Sequence, residues 1–391
     1  MKPSFLAAGL VRPRGRRGRW SALAEWWGPR PWTQIAVILG IAAVFLWLGL
    51  NVAEALRRAG ISPGFAFLGR SAGFQIGEAP IAFSAGDSYL RAILAGLLNT
   101  LKVAVAGCVL TTILGVAVGV AGLSGNPLMS RLVKIYIEVI RNTPLLLQLF
   151  FWIALARNLP GPRQAFGAAG VLLSNRGIFL PMPVVETGWL LLPLLPALML
   201  AILAVRRRRA RGRDGTPAGI AFAAFAALLL WQAGLSFDRP ELQGFNIRGG
   251  ISLSPEFGAL LVALTVKFSA SIAEIVRAGI LSVPESQREA ARALGLSERR
   301  IMRLVVLPQA LRVIVPLITS CFLDLTKDSS LAVAIGYPDL VSILNTTANT
   351  TGQAIEALLI MTGTFVVLNL AVAWLMNVYN RRVALRGEVR R

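Results

Sequence analysis

The sequence predicts an all-α polytopic membrane protein with about eight transmembrane helices, and three observations predict it. Hydrophobic residues fill 55% of the 391 positions and mean hydropathy is +0.65, whereas soluble domains are less apolar and their apolar runs are short. Runs near the roughly 20 residues that a bilayer span needs recur along the chain. Spans are expected near 33–50, 92–122, 132–156, 187–205, 217–236, 257–281, 310–336 and 356–378. The third observation is where the positive charge lies. A net charge of +21 suggests nucleic acid in a soluble chain. With the N-terminus inside, however, roughly 25 of the 40 Lys and Arg residues fall in cytoplasmic segments, as the positive-inside rule requires. These are the leader through Arg30, the loop at Arg131, Arg206 to Arg213, the 282–312 segment and the tail from Arg381. The charge is mostly topology, with some attraction to anionic lipid. Both termini are then cytoplasmic.

Composition also excludes chemistry. The two cysteines, Cys108 and Cys321, sit inside apolar runs without a partner at metal or redox spacing, so no disulfide framework or metal site is implied. Histidine is absent, which removes a His-based triad. No catalytic residues are expected.

In chain order, 1–32 is rich in Arg, Gly and Pro. Trp20, Trp26, Trp27 and Trp32 lead into the first apolar run, which suits an interfacial anchor better than a nucleic-acid arm. Ala53-Glu54-Ala55 has the look of a signal-peptidase site, but the basic region is too long for a secretory leader, so an uncleaved span is expected. Residues 51–90 read as an outer segment whose Ile61, Phe65, Phe67, Phe74 and Phe83 pack on the membrane face. After Tyr89 a long span begins, in which Gly115 and Gly119 have the spacing of a close helix contact.

The next span carries Glu138, Arg141, Thr143, Pro144 and Gln148. Intramembrane charge is costly unless paired or hydrated, so Glu138 and Arg141, three apart on one face, are expected to interact. Pro144 breaks the helical ladder beneath Gln148. From Asn158 to Glu256 the chain reads as an extra hairpin of spans around Arg206 to Arg209, a stop-transfer anchor in that setting. The 257–281 span contains Lys267, Glu274 and Arg277, and the one after it contains Asp324, Lys327, Asp328 and Ser329. Such groups mark either a substrate cavity or a polar lock between helices.

Between these two spans lies the strongly polar stretch Glu289 to Pro308. Ser282 and Glu285 have capping-box spacing. Ala290, Ala291, Ala293 and Leu294 favour helix, and Gly295 is a left-handed stop. Ser297 caps a second short helix that Pro308 ends or kinks. A small-residue face with Glu289, Arg292, Arg299 and Arg300 at its rim is the build of a docking element.

Glu289-Ala290-Ala291, Gly295, Val305 and Leu307-Pro308 resemble the EAA loop of ABC-importer permeases, with Val305 where the family usually has Ile. Leu97 to Lys102 resembles the entry to the permease core of polar amino-acid importers. Arg141 to Leu149 resembles the R-G-T-P-L-L-x-Q-L segment of histidine/glutamine-type permeases, with Asn142 for Gly. Ile272 to Ile280 and Asp324 to Leu331 resemble two further family elements. The resemblance implies a type I ABC importer permease core for bacterial polar or general L-amino acids, in which Glu289, Ala290, Ala291, Gly295, Leu307 and Pro308 dock on a cytoplasmic ABC ATPase dimer. A second permease subunit and a periplasmic amino-acid-binding protein are the other implied partners. No phosphate-binding G-x-x-x-x-G-K-[ST] loop occurs here, so ATP and Mg belong on the ATPase, and this chain needs no cofactor. The implied domains are 1–90 (basic arm, first span and periplasmic segment), 91–157 (permease core, first part), 158–256 (inserted hairpin with its Arg-rich cytoplasmic loop) and 257–391 (core, second part, with coupling loop 282–308). An amino acid offers a carboxylate and an ammonium whatever its side chain. The expected pathway groups are therefore Arg141, Arg277 and Lys327 as cations and Glu138, Glu274 and Asp324 as anions, with Thr143, Gln148 and Ser329 completing hydrogen bonding. Arg141 and Glu274 are the favoured pair. The rival class is a secondary transporter or channel for small polar solutes, which has no use for a docking helix.

Overall fold

The computed structural model describes residues 31–58, 60, 64–168, 170–185, 193–210, 216–232 and 234–383. Trp20, Trp26, Trp27, Ile61, Arg211, Arg213 and the tail beyond Val383 lie outside the described residues. The chain separates into two units, 1–65 and 66–391. The first holds α1 (Pro31–Arg58), whose uniformly apolar middle has almost wholly exposed side chains, as a helix surrounded by lipid requires.

The second unit holds the other helices, beginning with α2 (Tyr89–Ala121), α3 (Pro127–Asn142) and α4 (Leu145–Arg157). Its insertion carries α5 (Leu194–Ala210) and α6 (Thr216–Gln232). The chain then forms α7 (Pro255–Leu281), α8 (Glu285–Ala293), a four-residue α9 (Glu298–Ile301), α10 (Leu307–Asp328), α11 (Leu340–Thr351) and α12 (Ala354–Val383). Among the described residues five helical segments are long and apolar enough to cross a membrane, and α3–α4, bent by 102°, makes a sixth if counted as one span. All eight expected runs contain helix, but they are not eight uniform spans. The expected 132–156 span is a broken one. The described parts of the inserted α5 and α6 have 17 residues each, roughly 25 Å of helix.

Helix α7 is the axis of the bundle. Leu260, Ala263, Leu264, Ala270, Ile272 and Ala273 are wholly buried, and α2, α3, α4 and α10 all pack on it. Close approach to α2 depends on two glycines. A Cβ at Gly115 would lie 2.7 Å from Ile272 Cβ, and one at Gly119 would lie 2.7 Å from the Ala273 carbonyl. The GxxxG spacing therefore sits in a tight helix contact, as small-residue interfaces do in lipid.

The insertion departs from the expectation of helix alone. It contains eight short strands: β1 (Phe166–Ala168), β2 (Val171–Ser174), β3 (Gly177–Leu180), β4 (Met182–Val185), β5 (Leu235–Asp238), β6 (Glu241–Gln243), β7 (Asn246–Arg248) and β8 (Ile251–Leu253). An antiparallel sheet of order β1-β2-β3-β8 joins the end of α4 to the start of α7. The β4–β5 ribbon, with Val185 opposite Leu235, carries the α5–α6 hairpin.

At this same end of α7, residues 66–88 close over the bundle. Phe67 and Tyr89 pack with Leu340, Ile343 and Leu344 in a second core, with Phe74 and Phe83 at its edge. Phe65 is half exposed. The Glu78 carboxylate pairs with Lys102 and accepts from Ser254 N at 3.0 Å. Asn99 Nδ2 donates to the Glu78 and Pro338 carbonyls at 2.7 and 2.9 Å. The Lys102 ammonium also lies 4.4 Å from the Phe257 ring centre, a cation–π contact.

Asp339 caps α11 here, its Oδ1 accepting from Ser342 N at 2.8 Å. Burial pushes this carboxyl up to about 7 against the opposing pull of the backbone N–H groups. A raised carboxyl stabilises the fold fully below its ordinary 3.8 and loses that contribution as pH rises through about 7. Asp339→Asn keeps an acceptor without the charge. Its thermal stability in detergent, relative to wild type, is expected to rise by about 1 kcal/mol per pH unit between pH 5 and 7 and then level off. A pH-independent difference would contradict this account.

Candidate functional site

Two places on the second unit carry the predicted site residues. The first is the 282–306 turn at the C-terminal end of α7. Helix α8 ends at Leu294 with Gly295 at φ +75°. Gly295 N donates to Arg292 O at 2.9 Å and Leu296 N to Ala291 O at 3.2 Å, the paired bonds of a Schellman stop. Nothing lies within 4 Å of a Cβ at Gly295, so glycine is required by backbone conformation rather than by crowding. Arg292 locks the joint, reaching Glu298 at 2.7 Å and Glu285 at 3.1 Å.

The EAA motif splits by direction. Ala291 is buried with Val283, Ile301, Val306 and Ala310, while Glu289, Ala290 and Gly295 face outward. Leu307 and Pro308 open α10 directly after the helical Met302–Val306 turn. Leu294 stands beside the motif with 81% of its surface exposed. The sequence reading counted it only as a helix former. A large apolar residue just before a left-handed glycine was the available signal.

Three capping expectations are corrected. Ser282 Oγ donates back to Gly279 O, and α8 starts after Pro284 without a side-chain cap. Ser297 occupies the N-cap of α9 without a side-chain bond. Pro308 does not end the second helix, which runs on as one segment from Glu298 to Ile335. The ladder instead widens into a π-turn over Met302–Val306 before α10, so the strain is taken up one turn earlier.

The second place is the break between α3 and α4. A helix broken inside a bilayer leaves its last carbonyls unsatisfied, and side chains fill that need here. Thr143 Oγ1 donates to Val139 O at 2.7 Å. Gln148 Nε2 donates to Ile140 O and Thr143 O at 3.3 and 3.2 Å. Lys267 Nζ, from α7, donates to Arg141 O at 2.9 Å, Thr143 O at 3.2 Å and Ile140 O at 3.5 Å. Tyr136 OH adds a 2.7 Å bond to Ser269 Oγ.

The predicted charges gather around this break but pair differently from expectation. Glu138 and Arg141 are exposed, and neither forms an ion pair among the described residues. They stand three residues apart on one helix, yet no ion pair forms between them. Glu274 is instead held by Arg277 of its own helix, with bonds of 3.0 and 2.5 Å. Arg141 lies within electrostatic reach of Glu274 and of Lys267. Asp324 and Lys327 form an exposed pair at 3.6 Å, and Asp328 lies in the field of Lys267 and Lys327. Ser329 is apart from them, buried and donating to Thr326 O at 2.8 Å. An apolar cavity of about 420 Å³, lined by residues such as Val116, Ile280, Ile314 and Met376, holds none of these charges and offers a zwitterion no partner.

Long apolar helices with a polar two-helix turn at one end, and exposed charges beside a broken span, fit a membrane-embedded transport subunit. Comparison with known proteins agrees. The family described as binding-protein-dependent transport system inner membrane component matches residues 111–385. The chain is 44% identical over 371 residues to YhdX of Escherichia coli (strain K12), covering 91% of this chain and 94% of that one. It is 40% identical over 365 residues to the general L-amino acid transport system permease protein AapQ of Rhizobium johnstonii, covering 90% and 91%. It is 41% identical over 397 residues to the glutamate/glutamine/aspartate/asparagine transport system permease protein BztB of Rhodobacter capsulatus, covering 90% and 93%. The chain belongs to the family of binding-protein-dependent transport system inner membrane components. It is a multi-pass inner-membrane transport component, not an enzyme.

Proposed function

We propose that the chain is the permease subunit of an ATP-driven importer that moves L-amino acids, polar or broad in range, across the bacterial inner membrane. The observation that carries this reading is the 282–306 turn: a short amphipathic helix packed on the bundle through Ala291, its joint held by Arg292, presenting Glu289, Ala290 and Leu294 outward. That shape transmits force only if something outside the membrane grips it. The proposed grip is a cytoplasmic ABC ATPase dimer, which holds the ATP and Mg²⁺. The names of AapQ and BztB support amino acids as cargo. So does the gathering of Arg141, Glu274, Arg277, Asp324 and Lys327, since cations and anions together suit the two charged ends of an amino acid.

Exposed intramembrane charges such as Asp324 and Lys327 need cover from lipid. A second permease subunit supplies it and closes the pathway. The amino acid arrives on a periplasmic binding protein at the 66–88 and strand-bearing end. The Lys/Arg asymmetry supports termini and an α5–α6 connection on the cytoplasmic side.

The broken α3–α4 span is a feature shared with secondary transporters, and the docking turn is what separates the two readings. The test is ATP hydrolysis by the purified complex in liposomes. Adding amino-acid-loaded binding protein is expected to raise hydrolysis several-fold over the empty form. Equal rates with loaded and empty binding protein would refute the reading.

A further inference from the structure

Among the groups around the α3–α4 break, one cation comes from another helix and makes no ion pair among the described residues. Lys267 directs its ammonium at the free carbonyls of Ile140, Arg141 and Thr143. A cation at a helix C-terminus satisfies orphan acceptors and complements the negative end of the dipole. Both effects grow where water is scarce. The bond at 2.9 Å is made to the carbonyl of Arg141 itself, the exposed cation that has no ion-pair partner among the described residues.

We propose that Lys267 is the positioning residue of the translocation pathway: it fixes the last turn of α3 and so holds the Arg141 guanidinium where an amino-acid carboxylate can reach it. The assignment rests on the reading of these charges as a substrate pathway. Three features support a positioning role over bulk stabilisation. The residue crosses from α7 to a different element, whereas Glu274–Arg277 and Asp324–Lys327 each lie within one helix. Gln148 already serves the Ile140 and Thr143 carbonyls, so Lys267 uniquely adds the bond to Arg141 O. Asp328 lies within electrostatic reach of Lys267 but makes no ion pair with it among the described residues, so the ammonium stays on the carbonyls.

The test uses the assembled transporter in liposomes, with uptake kinetics, basal ATP hydrolysis and hydrogen exchange of the 139–147 peptide. Lys267→Met is expected to raise KM by about tenfold with maximal rate nearly kept, as for lost binding geometry. It should speed exchange across 139–147 but leave 99–121 unchanged. Lys267→Arg, which retains charge and donors, should restore most of the KM. Arg141→Gln should raise KM similarly, and the double variant should be no worse than Arg141→Gln alone, because Lys267 acts through Arg141. If Lys267→Met prevents assembly, Lys267→Gln carries the same readouts. Wild-type KM in the Lys267 variant, or KM effects that multiply in the double variant, would overturn this assignment while leaving the pathway reading intact. Wild-type KM in Arg141→Gln would overturn the pathway reading and this assignment with it.

Discussion

Changing Leu294 to Asp is expected to leave the chain in the membrane, weaken its hold on the ATPase by about a hundredfold and abolish ATP-driven uptake. Leu294 is 81% exposed at the tip of α8, next to the glycine stop that aims it. A leucine of this size gains roughly 1.5–3 kcal/mol on burial in a partner's pocket, and a carboxylate there adds a desolvation cost. Together they exceed the roughly 2.8 kcal/mol of a hundredfold change in affinity. Glu289→Lys reverses charge on the same outward face and is expected to act in the same direction. Gly295→Asp is also expected to abolish uptake, though by a different cause. At φ +75° a Cβ strains the backbone by about 1–3 kcal/mol and re-aims Leu294, without colliding with anything. Co-purification with the ATPase and uptake in vesicles read all three. Normal affinity and uptake in Leu294→Asp would remove the docking role.

The second large effect concerns Glu274. Glu274→Gln is expected to lower uptake of every amino acid by at least about tenfold, with assembly and basal ATP hydrolysis unchanged. The carboxylate holds Arg277 through two bonds and lies in the field of Arg141. Losing its charge leaves two cations without their shared anion and removes the anion favoured for a substrate ammonium. Helix α7 is held chiefly by the Gly115 and Gly119 contacts and by buried Leu260, Leu264 and Ile272, so the bundle does not depend on this carboxylate. A variant that fails to assemble would make Glu274 a helix lock. One that transports at the wild-type rate would exclude it from the pathway.

What was legible in the sequence was local. The two-helix turn at 282–306 showed because its stop, its alanine face and its motif lie within about twenty residues, the scale on which helix signals act. Even so, the caps at Ser282 and Ser297 were misjudged. Capping spacing states what a side chain can reach, and Ser282 reached its own helix instead. The break at Pro144, a bend of 102°, was legible as an interrupted ladder, but the bond from Lys267 to the Arg141 carbonyl spans 126 residues. Contacts of that separation leave no periodic trace in one sequence. Glu138 and Arg141 show the same limit in reverse: a spacing of three permits a pair, but the rest of the fold decides whether it forms. The insertion's strands were invisible because each has three or four residues, too few for an alternating pattern to emerge. Ser329, expected as a pathway hydroxyl within a stretch that resembles a family element, is buried in the turn after α10 and donates to Thr326 O, a contact its spacing does not reveal.

The central claim is that this chain moves amino acids only when an ATPase drives the 282–306 turn. The direct measurement is uptake of a labelled L-amino acid into proteoliposomes containing the chain, its ATPase, its partner permease and loaded binding protein. ATP is supplied on the ATPase side, with the proton and sodium gradients collapsed. The account predicts accumulation against a concentration gradient that stops without ATP and is absent with Leu294→Asp. Accumulation driven by an ion gradient in liposomes lacking the ATPase would contradict it.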